Sequence, residues 1–462
     1  MNLDSKNIQK TMQSFLTNVA PKLLTTTPDV SNVASLIEKD ESSKHGKKDE
    51  SSKRRKKIHS DSHIDSVAKD LYDKMNDANV ELTAQKNDGC FKFQESAIDI
   101  QSQIPHSNAF SDKYLSREMR EYIKHDSKKI VTFECKINQR EIRLFFILFK
   151  KHCSEESIVY YKTYAHRVFM WLHMTSLHST CIESLDIYVY LTPFKKELPQ
   201  NKSEVIGPIH ANTGYTYRCE KKNEIVIYRE EEWFKVFIHE TMHAFGNDFD
   251  IDTLDNDNNS MKHLKKIFSL PQDIEIRMSE TYSEIWARIM NVAFQTYFKN
   301  PPSLESRSVK EFKKNFEFYL NLESVFSLYQ CIKILDFMGV NYQVLIGDSD
   351  HSKKMMRSFY RENTNVFAYY VLTSILLHNN GNDFFSWCVK INGTGLNMFK
   401  MKATQHEFIR LIASCYKQND LLQKIVETET KLARDFENAT VSKSKSDDQL
   451  ITTLRMTIIG FD

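Results

Sequence analysis

Ile238-His239-Glu240-Thr241-Met242-His243-Ala244 is an H-E-x-x-H pattern set in an apolar segment, with Trp233, Phe234, Val236 and Phe237 before it and Phe245 after it. Histidines four apart stand one above the other on a helix face. His239 and His243 can therefore both reach one Zn²⁺ at about 2.0–2.1 Å. Glu240 points beside such a metal rather than at it, and can accept a proton from a water held there. Upstream, Glu224-IVI-Tyr228 is β-branched and aromatic without Gly or Pro, which reads as a short strand. Arg229-EE-Glu232 then opens the helix with carboxylates in its first turn, where the dipole favours them; the expected helix covers 230–246. A glutamate on an otherwise apolar helix is costly to bury without a purpose, which weighs against two ordinary core histidines.

A catalytic zinc usually takes three protein ligands and keeps one position open. One source of the third lies close by. His243-AFGNDF-Asp250 resembles the longer metzincin motif, with Gly246 at the turning glycine; the ligand position holds Phe249, and Asp248 and Asp250 flank it one residue out of register. The other lies downstream. Met278-SETYSEIWAR-Ile289 predicts a second helix over 277–297 with Glu280 and Glu284 on one face. Its E-x-x-S-E resembles the E-x-x-S-D ligand helix of thermolysin-like gluzincins. That resemblance implies Glu280 as the third zinc ligand. It implies Glu284, one methylene longer than the family's Asp, as the carboxylate that accepts from the far ring nitrogen of a metal histidine and fixes its tautomer.

The wider stretch from about Leu185 to Asn291, including Ile187-YVYLTPFKKEL-Pro199 and His210-ANTGYTYR-Cys219, resembles the zincin-type metallopeptidases encoded by large double-stranded DNA viruses. The resemblance covers about a quarter of the chain. It implies an α+β, predominantly helical fold: a zincin-like core of a small sheet and the metal helix, followed by a helical C-terminal subdomain. It implies one Zn²⁺ per chain, a protein or peptide substrate, and a virion or host protein as partner. A hairpin of Thr213–Cys219 and Glu224–Tyr228, turning at Lys221-Lys222-Asn223, would offer an edge for a substrate backbone.

Composition sets the frame. A chain of 462 residues, 41% hydrophobic, can bury a large core. With 11 Gly and 9 Pro it is poor in turn residues, which favours helices. The net charge of +2 gives no reason to expect nucleic acid or an anionic membrane surface as partner. The eight cysteines (Cys90, Cys135, Cys153, Cys181, Cys219, Cys331, Cys388, Cys415) form no C-x-x-C pair and are expected to be reduced thiols. No signal peptide and no 18-residue apolar run is visible, so an intracellular setting, host cytoplasm or virion, is expected.

Along the chain, 1–66 reads as an N-terminal segment and charged linker. KDESSK occurs twice, at Lys39–Lys44 and Lys48–Lys53, and the basic run Lys53-RRK-Lys57 follows. That run is a candidate nuclear-import signal or nucleic-acid patch beside the plainer reading of solvated linker. The catalytic core is expected over 67–300. It contains a hairpin of Ile130–Ile137 and Ile142–Phe149, turning at Asn138-Gln139-Arg140, and a helix over Glu155–Ser176. Asn247–Ser260 is dense in Asp and Asn and reads as an exposed loop, with calcium as the minor alternative. The subdomain 301–440 is expected to consist of helices near Val309–Phe326, Ser327–Met338, Lys353–Leu377, His406–Gln418 and Asp420–Phe436, with 441–462 as a tail.

Two functions remain in view. One is a zinc peptidase in which Glu240 activates the attacking water, with an oxyanion donor to be found among His351, His378, His406, Tyr369 and Tyr370. The other is a virion structural or interaction protein that keeps a non-catalytic metal on a zincin scaffold. A retained Glu240 favours the enzyme, because a structural zinc needs no general base.

Overall fold

A computed structural model describes residues 63–106, 114–177, 179–249, 258–299, 307–393, 404–442 and 445–460. The N-terminal segment, the linker and the basic run Lys53–Lys57 lie outside them, as does Asp250. The described chain is α+β and mostly helical. In order it comprises α1 (His63–Asn87), β1 (Lys92–Ala97), α2 (Arg117–Asp126), β2 (Ser127–Ile137), β3 (Arg140–Phe149), α3 (Glu155–Ser176), β4 (Ser184–Tyr190), β5 (Gly214–Thr216), β6 (Lys222–Ile227) and α4 (Trp233–Ala244). Then come α5 (Asn258–Ile267), α6 (Met278–Lys299), α7 (Arg307–Phe337), α8 (Asp350–Phe359), a π-helical turn (Phe367–Leu372) running into Thr373–Leu377, α9 (Asn382–Asn392), α10 (Gln405–Cys415), α11 (Asn419–Ser442) and α12 (Lys445–Thr452).

The six strands form one sheet in the order β1-β2-β3-β4-β6-β5. β2 and β3 are the expected hairpin. Asn138 and Gln139 both take positive φ (46° and 67°), the pair of left-handed residues that a two-residue turn needs, so Ile137 pairs with Arg140. β3, β4 and β6 run parallel, and β4 and β6 are buried on both faces, as parallel strands are. Leu185, Ile187, Val189, Ile225 and Ile227 face the main core, where α3 and α4 pack. Tyr188, Tyr190, Val226 and Tyr228 face a smaller cluster closed by Leu115, Met119 and Ile123. β5 is the short outer strand, antiparallel to β6, and lies against α4.

α4 and α6 are the central helix pair. Every residue of α4 is buried except His243, and α6 is buried from Thr281 to Phe294. Trp286, Tyr282, Ile285 and Ile289 are fully enclosed, each side chain contributing about 2 kcal/mol of hydrophobic stabilisation. One apolar cluster runs from Ile64 to Ile459 and so crosses the boundaries read at 300 and 440.

Several local expectations need correction. α4 starts at Trp233, not at 230, because Arg229–Glu232 are held in other structure. Glu230 pairs with Lys151 and His152. Glu231 accepts from Lys196 N at 2.7 Å. Glu232 sits at φ 60° and pairs with Lys196 at 2.6 Å. The helices expected at Val309–Phe326 and Ser327–Met338 are one, α7. The helix expected at Lys353–Leu377 is broken between α8 and the π turn, where Glu362 accepts from Phe367 N at 2.7 Å. β1 is a strand beyond those expected from the sequence. Thr453–Ile459 are buried rather than a tail: Met456 N and Thr457 N donate to Glu232, and Tyr370 OH donates to Leu454 O. Finally, Cys181 and Cys219 form a disulfide with their Cα atoms 4.8 Å apart. The six other cysteines are free. No spacing motif marks this pair, because β4, β5 and the turn after α4 bring it together from 38 positions apart.

Candidate metal centre

α4 presents His239 and His243 one turn apart, and α6 presents Glu280 from its first turn, where a carboxylate meets the helix dipole favourably. The two helices bring three atoms together. His239 Nε2 lies 3.1 Å from His243 Nε2 and 3.2 Å from Glu280 Oε2, and His243 Nε2 lies 3.6 Å from that same oxygen. A tetrahedral site with bonds of about 2.0–2.1 Å places its ligand atoms about 3.3 Å apart. These three residues are the group, among the described residues, that could hold a metal ion.

The hydrogen bonds behind the triad test that fit independently. His239 Nδ1 donates to Glu284 Oε2 at 3.1 Å. His243 Nδ1 donates to Asp248 Oδ2. Both carboxylates are buried. With each Nδ1 carrying its proton, both Nε2 atoms present lone pairs, facing each other and a carboxylate oxygen. Three acceptors at this spacing repel unless protons or a cation lie among them. Burial by itself would lower the pKa of each histidine, but Glu280 and Glu284 at His239, and Asp248 and Glu280 at His243, more than offset it and raise both. The cluster therefore demands positive charge, and a divalent cation meets that demand with geometry to match.

The supporting carboxylates have cations of their own. Lys235 Nζ holds both oxygens of Glu284 at 3.0 Å, and Arg288 Nε donates to Oε1 at 2.8 Å. Arg218 pairs with Asp248 and also donates to its carbonyl at 3.2 Å. Glu240 and Glu280 have no Lys or Arg ion-pair partner among the described residues. Burial pushes the Glu240 carboxyl up from the ordinary carboxylate range. Glu240 lies against β5 at Gly214: a Cβ on that glycine would stand 3.3 Å from Glu240 Cγ and 2.9 Å from Val236 Cγ1.

The π turn contributes one more group. Tyr369 OH donates to Glu280 Oε2 at 2.8 Å, and its ring stands 5.8 Å from that of His239. The wide π turn leaves the Tyr369 carbonyl free for Arg288 Nη2 at 2.9 Å. Burial and the neighbouring Glu280 keep the phenol protonated, hence a donor. The other candidates for an oxyanion donor are engaged elsewhere or exposed: Tyr370 at Leu454 O, His378 at Asp420, His406 at Ser260, and His351 on the surface.

Gly246 takes φ +63° and makes the turn that its place after His243 requires, but Phe249 points into the core against Tyr282 and Phe408 and is no ligand. Asn247 and Asp248 are likewise buried rather than part of an exposed loop. Asn247 donates to Thr175, and Asp248 serves His243. Residues 250–257 lie outside the described segments, so the calcium reading does too. Lys235, Arg288 and Arg218 are not marked by any motif in the sequence, and Asp248 appears there only as an out-of-register neighbour of the ligand position. The signal for Lys235 is plain in retrospect, since a lone lysine one turn before His239 in an apolar helix needs a buried carboxylate.

No protein-family model, curated protein or solved structure matches the chain. No helix among the described residues is long and apolar enough to cross a membrane.

Proposed function

We propose that the chain is a zinc-dependent peptidase with a gluzincin-like site on a zincin-like core. His239, His243 and Glu280 are the ligands, and Glu284 and Asp248 orient the two imidazoles. The observation that carries the reading is the convergence of the Nε2 atoms of His239 and His243 and one Glu280 carboxylate oxygen beside Glu240. A divalent ion there supplies Lewis acidity, polarising a peptide carbonyl and bringing the pKa of a water to about 7.

The chain's own groups account for the rest. Glu240, buried and with no Lys or Arg ion-pair partner among the described residues, takes the proton of the attacking water and passes it to the leaving amine. Tyr369, a neutral donor 2.8 Å from Glu280 Oε2, is within reach of an oxygen that gains charge as the carbonyl becomes tetrahedral. β5 lies beside Glu240 at the outer side of the sheet, where an extended peptide can pair with it. A partner in the virion or host, and an intracellular location, belong to the same proposal.

Elemental analysis of the purified protein is the test, run on wild type and on His243→Ala, Glu280→Ala and Glu240→Gln. One zinc per chain is expected in wild type, lost in the first two variants and kept in the third, which should lose hydrolysis of a peptide library. A wild type free of zinc removes the proposal. A Glu240→Gln variant that keeps metal and every function of the protein shifts the reading to a structural protein with a retained metal.

A further inference from the structure

The disulfide lies directly behind the second histidine. Gly246 makes the turn after His243, and a Cβ on it would stand 3.1 Å from Cys181 Sγ and 3.5 Å from Cys219 Sγ, so the sulfurs pack on that turn. Cys219 is joined to Arg218 by one peptide bond. Arg218 holds Asp248 by its carboxylate and by its carbonyl, and Asp248 accepts from His243 Nδ1. Cys219 is exposed and takes φ 52°, left-handed backbone that a residue with a Cβ adopts reluctantly. Outside the disulfide and the Arg218 contacts, the β5–β6 connection is held at its two ends: Asn223 Nδ2 donates to Tyr217 O at 2.7 Å, and Lys221 O accepts from Glu183 N at 2.7 Å and Ser184 N at 3.1 Å, while the stretch between them carries Arg218 and Cys219.

We infer that the Cys181–Cys219 disulfide is a redox control on the metal centre: it holds Arg218, and through Arg218 holds Asp248 on His243, so that reduction weakens metal binding. The inference rests on the metal-site reading above and adds to it a regulatory input. A dithiol reductant supplies the two electrons. One of its thiolates attacks Sγ of Cys219, the more exposed of the two residues, the Cys181–Cys219 bond breaks, and Cys181 leaves as a thiolate that takes up a proton. The reductant's second thiol then displaces Cys219 and closes its own disulfide, so one disulfide is consumed and one is formed. Freed of the bond, Cys219 can leave the left-handed region and carry Arg218 away. Asp248 is then a buried carboxylate without its cation, and its hold on the His243 tautomer loosens. Loss of such a supporting group costs about 10–100-fold in metal affinity.

The experiment is a Zn²⁺ titration of the full chain in competition with a chromophoric chelator. The samples are oxidised protein, protein reduced with dithiothreitol and desalted without oxygen, and Cys181→Ser/Cys219→Ser. Roughly tenfold weaker binding is expected in the last two. Arg218→Met, kept oxidised, should show the same loss and no further fall on reduction. Equal affinity in both redox states overturns the inference, as does an Arg218→Met variant that binds like wild type or whose loss adds to that of reduction. Should reduction unfold the chain, oxidised Arg218→Met decides alone. The metal-free samples give a second readout, the downfield proton resonance of His243 Nδ1–H on Asp248, expected to shift on reduction. Absence of zinc binding in every sample strikes the metal reading, and the resonance then decides the inference: unchanged, it overturns it.

Discussion

Glu284 accepts from His239 Nδ1 at 3.1 Å while Lys235, one turn before that histidine on the same helix, holds both Glu284 oxygens. A carboxylate buried to this degree stays ionised only with cations on it. Lys235 and Arg288 together more than offset the burial that would push it up, and its pKa falls well below the usual range. Lys235→Met leaves Arg288 as the remaining cation. The expected outcome is a loss of about 3 kcal/mol in chemical denaturation, the lower end for breaking a buried pair, with zinc affinity down about tenfold. A variant as stable and as zinc-avid as wild type contradicts this role for Lys235.

Tyr369→Phe removes one hydroxyl and leaves the ring against His239. If the phenol stabilises the developing oxyanion, kcat should fall about 10²–10³-fold with zinc affinity changed no more than a few-fold. The opposite split, with affinity lost and kcat kept, would make Tyr369 an orienting partner of Glu280 and nothing more.

What could be read in advance was what local periodicity encodes. His239, Glu240 and His243, and then Glu280 and Glu284, fall on helix faces by i,i+4 arithmetic alone. The β2–β3 turn follows from Asn138, and α3 from the stripe Tyr160, Tyr161, Tyr164, Val168, Trp171 and Leu172, of which Tyr160 is exposed and Tyr161, Val168, Trp171 and Leu172 are buried. What could not be read depends on distant packing. Asp248 reaches His243 because Phe249 is drawn into the core beside Tyr282. Glu232 looks like a first-turn acid, yet its partners are Lys196 and the backbone of Met456 and Thr457. Thr453–Ile458 alternate polar and apolar residues as a strand does, yet beyond the Glu197–Thr453 bridge their backbone N–H groups are met by side chains, Glu232 and Glu323 among them, which no local pattern shows.

Glu323 gives the pH dependence of that last arrangement. It is fully buried, accepts from Thr457 Oγ1 at 2.8 Å and Ile458 N at 3.2 Å, and has one oxygen without a partner among the described residues. Burial raises its pKa to about 7 from an ordinary 4.5. Since the folded value exceeds the unfolded one, the folded state binds the extra proton between about 4.5 and 7. Stability from this group is therefore full below pH 4.5 and is lost as pH rises through 7, at up to about 1.4 kcal/mol per unit. Glu323→Gln cannot ionise and places a buried N–H₂ where no acceptor waits, so it starts less stable at pH 5. The gap to wild type should narrow by about 2–3 kcal/mol between pH 5 and 7.5, read from denaturation midpoints. Parallel pH profiles would mean that Glu323 does not titrate in this window.

Gly214 ties the outer strand to Glu240. Its φ is not in the left-handed region, so backbone freedom is not what the site needs. The constraint is space: a Cβ would meet Val226 O and Val236 Cγ1 at 2.9 Å and Glu240 Cγ at 3.3 Å. The first two contacts are with a strand backbone and a packed side chain on α4, neither of which can swing aside, so Gly214→Ala must move β5 off the helix. The expected cost is about 1–3 kcal/mol, the range for forcing a methyl into a packed interior. The displaced strand also shifts the wall that fixes Glu240. Hydrolysis should therefore drop while zinc stays bound, because none of the three ligands touches Gly214. Zinc content and denaturation measured on the same sample distinguish the cases. A variant with wild-type stability and activity would show that β5 yields freely, and would remove the argument that this strand sets the position of Glu240.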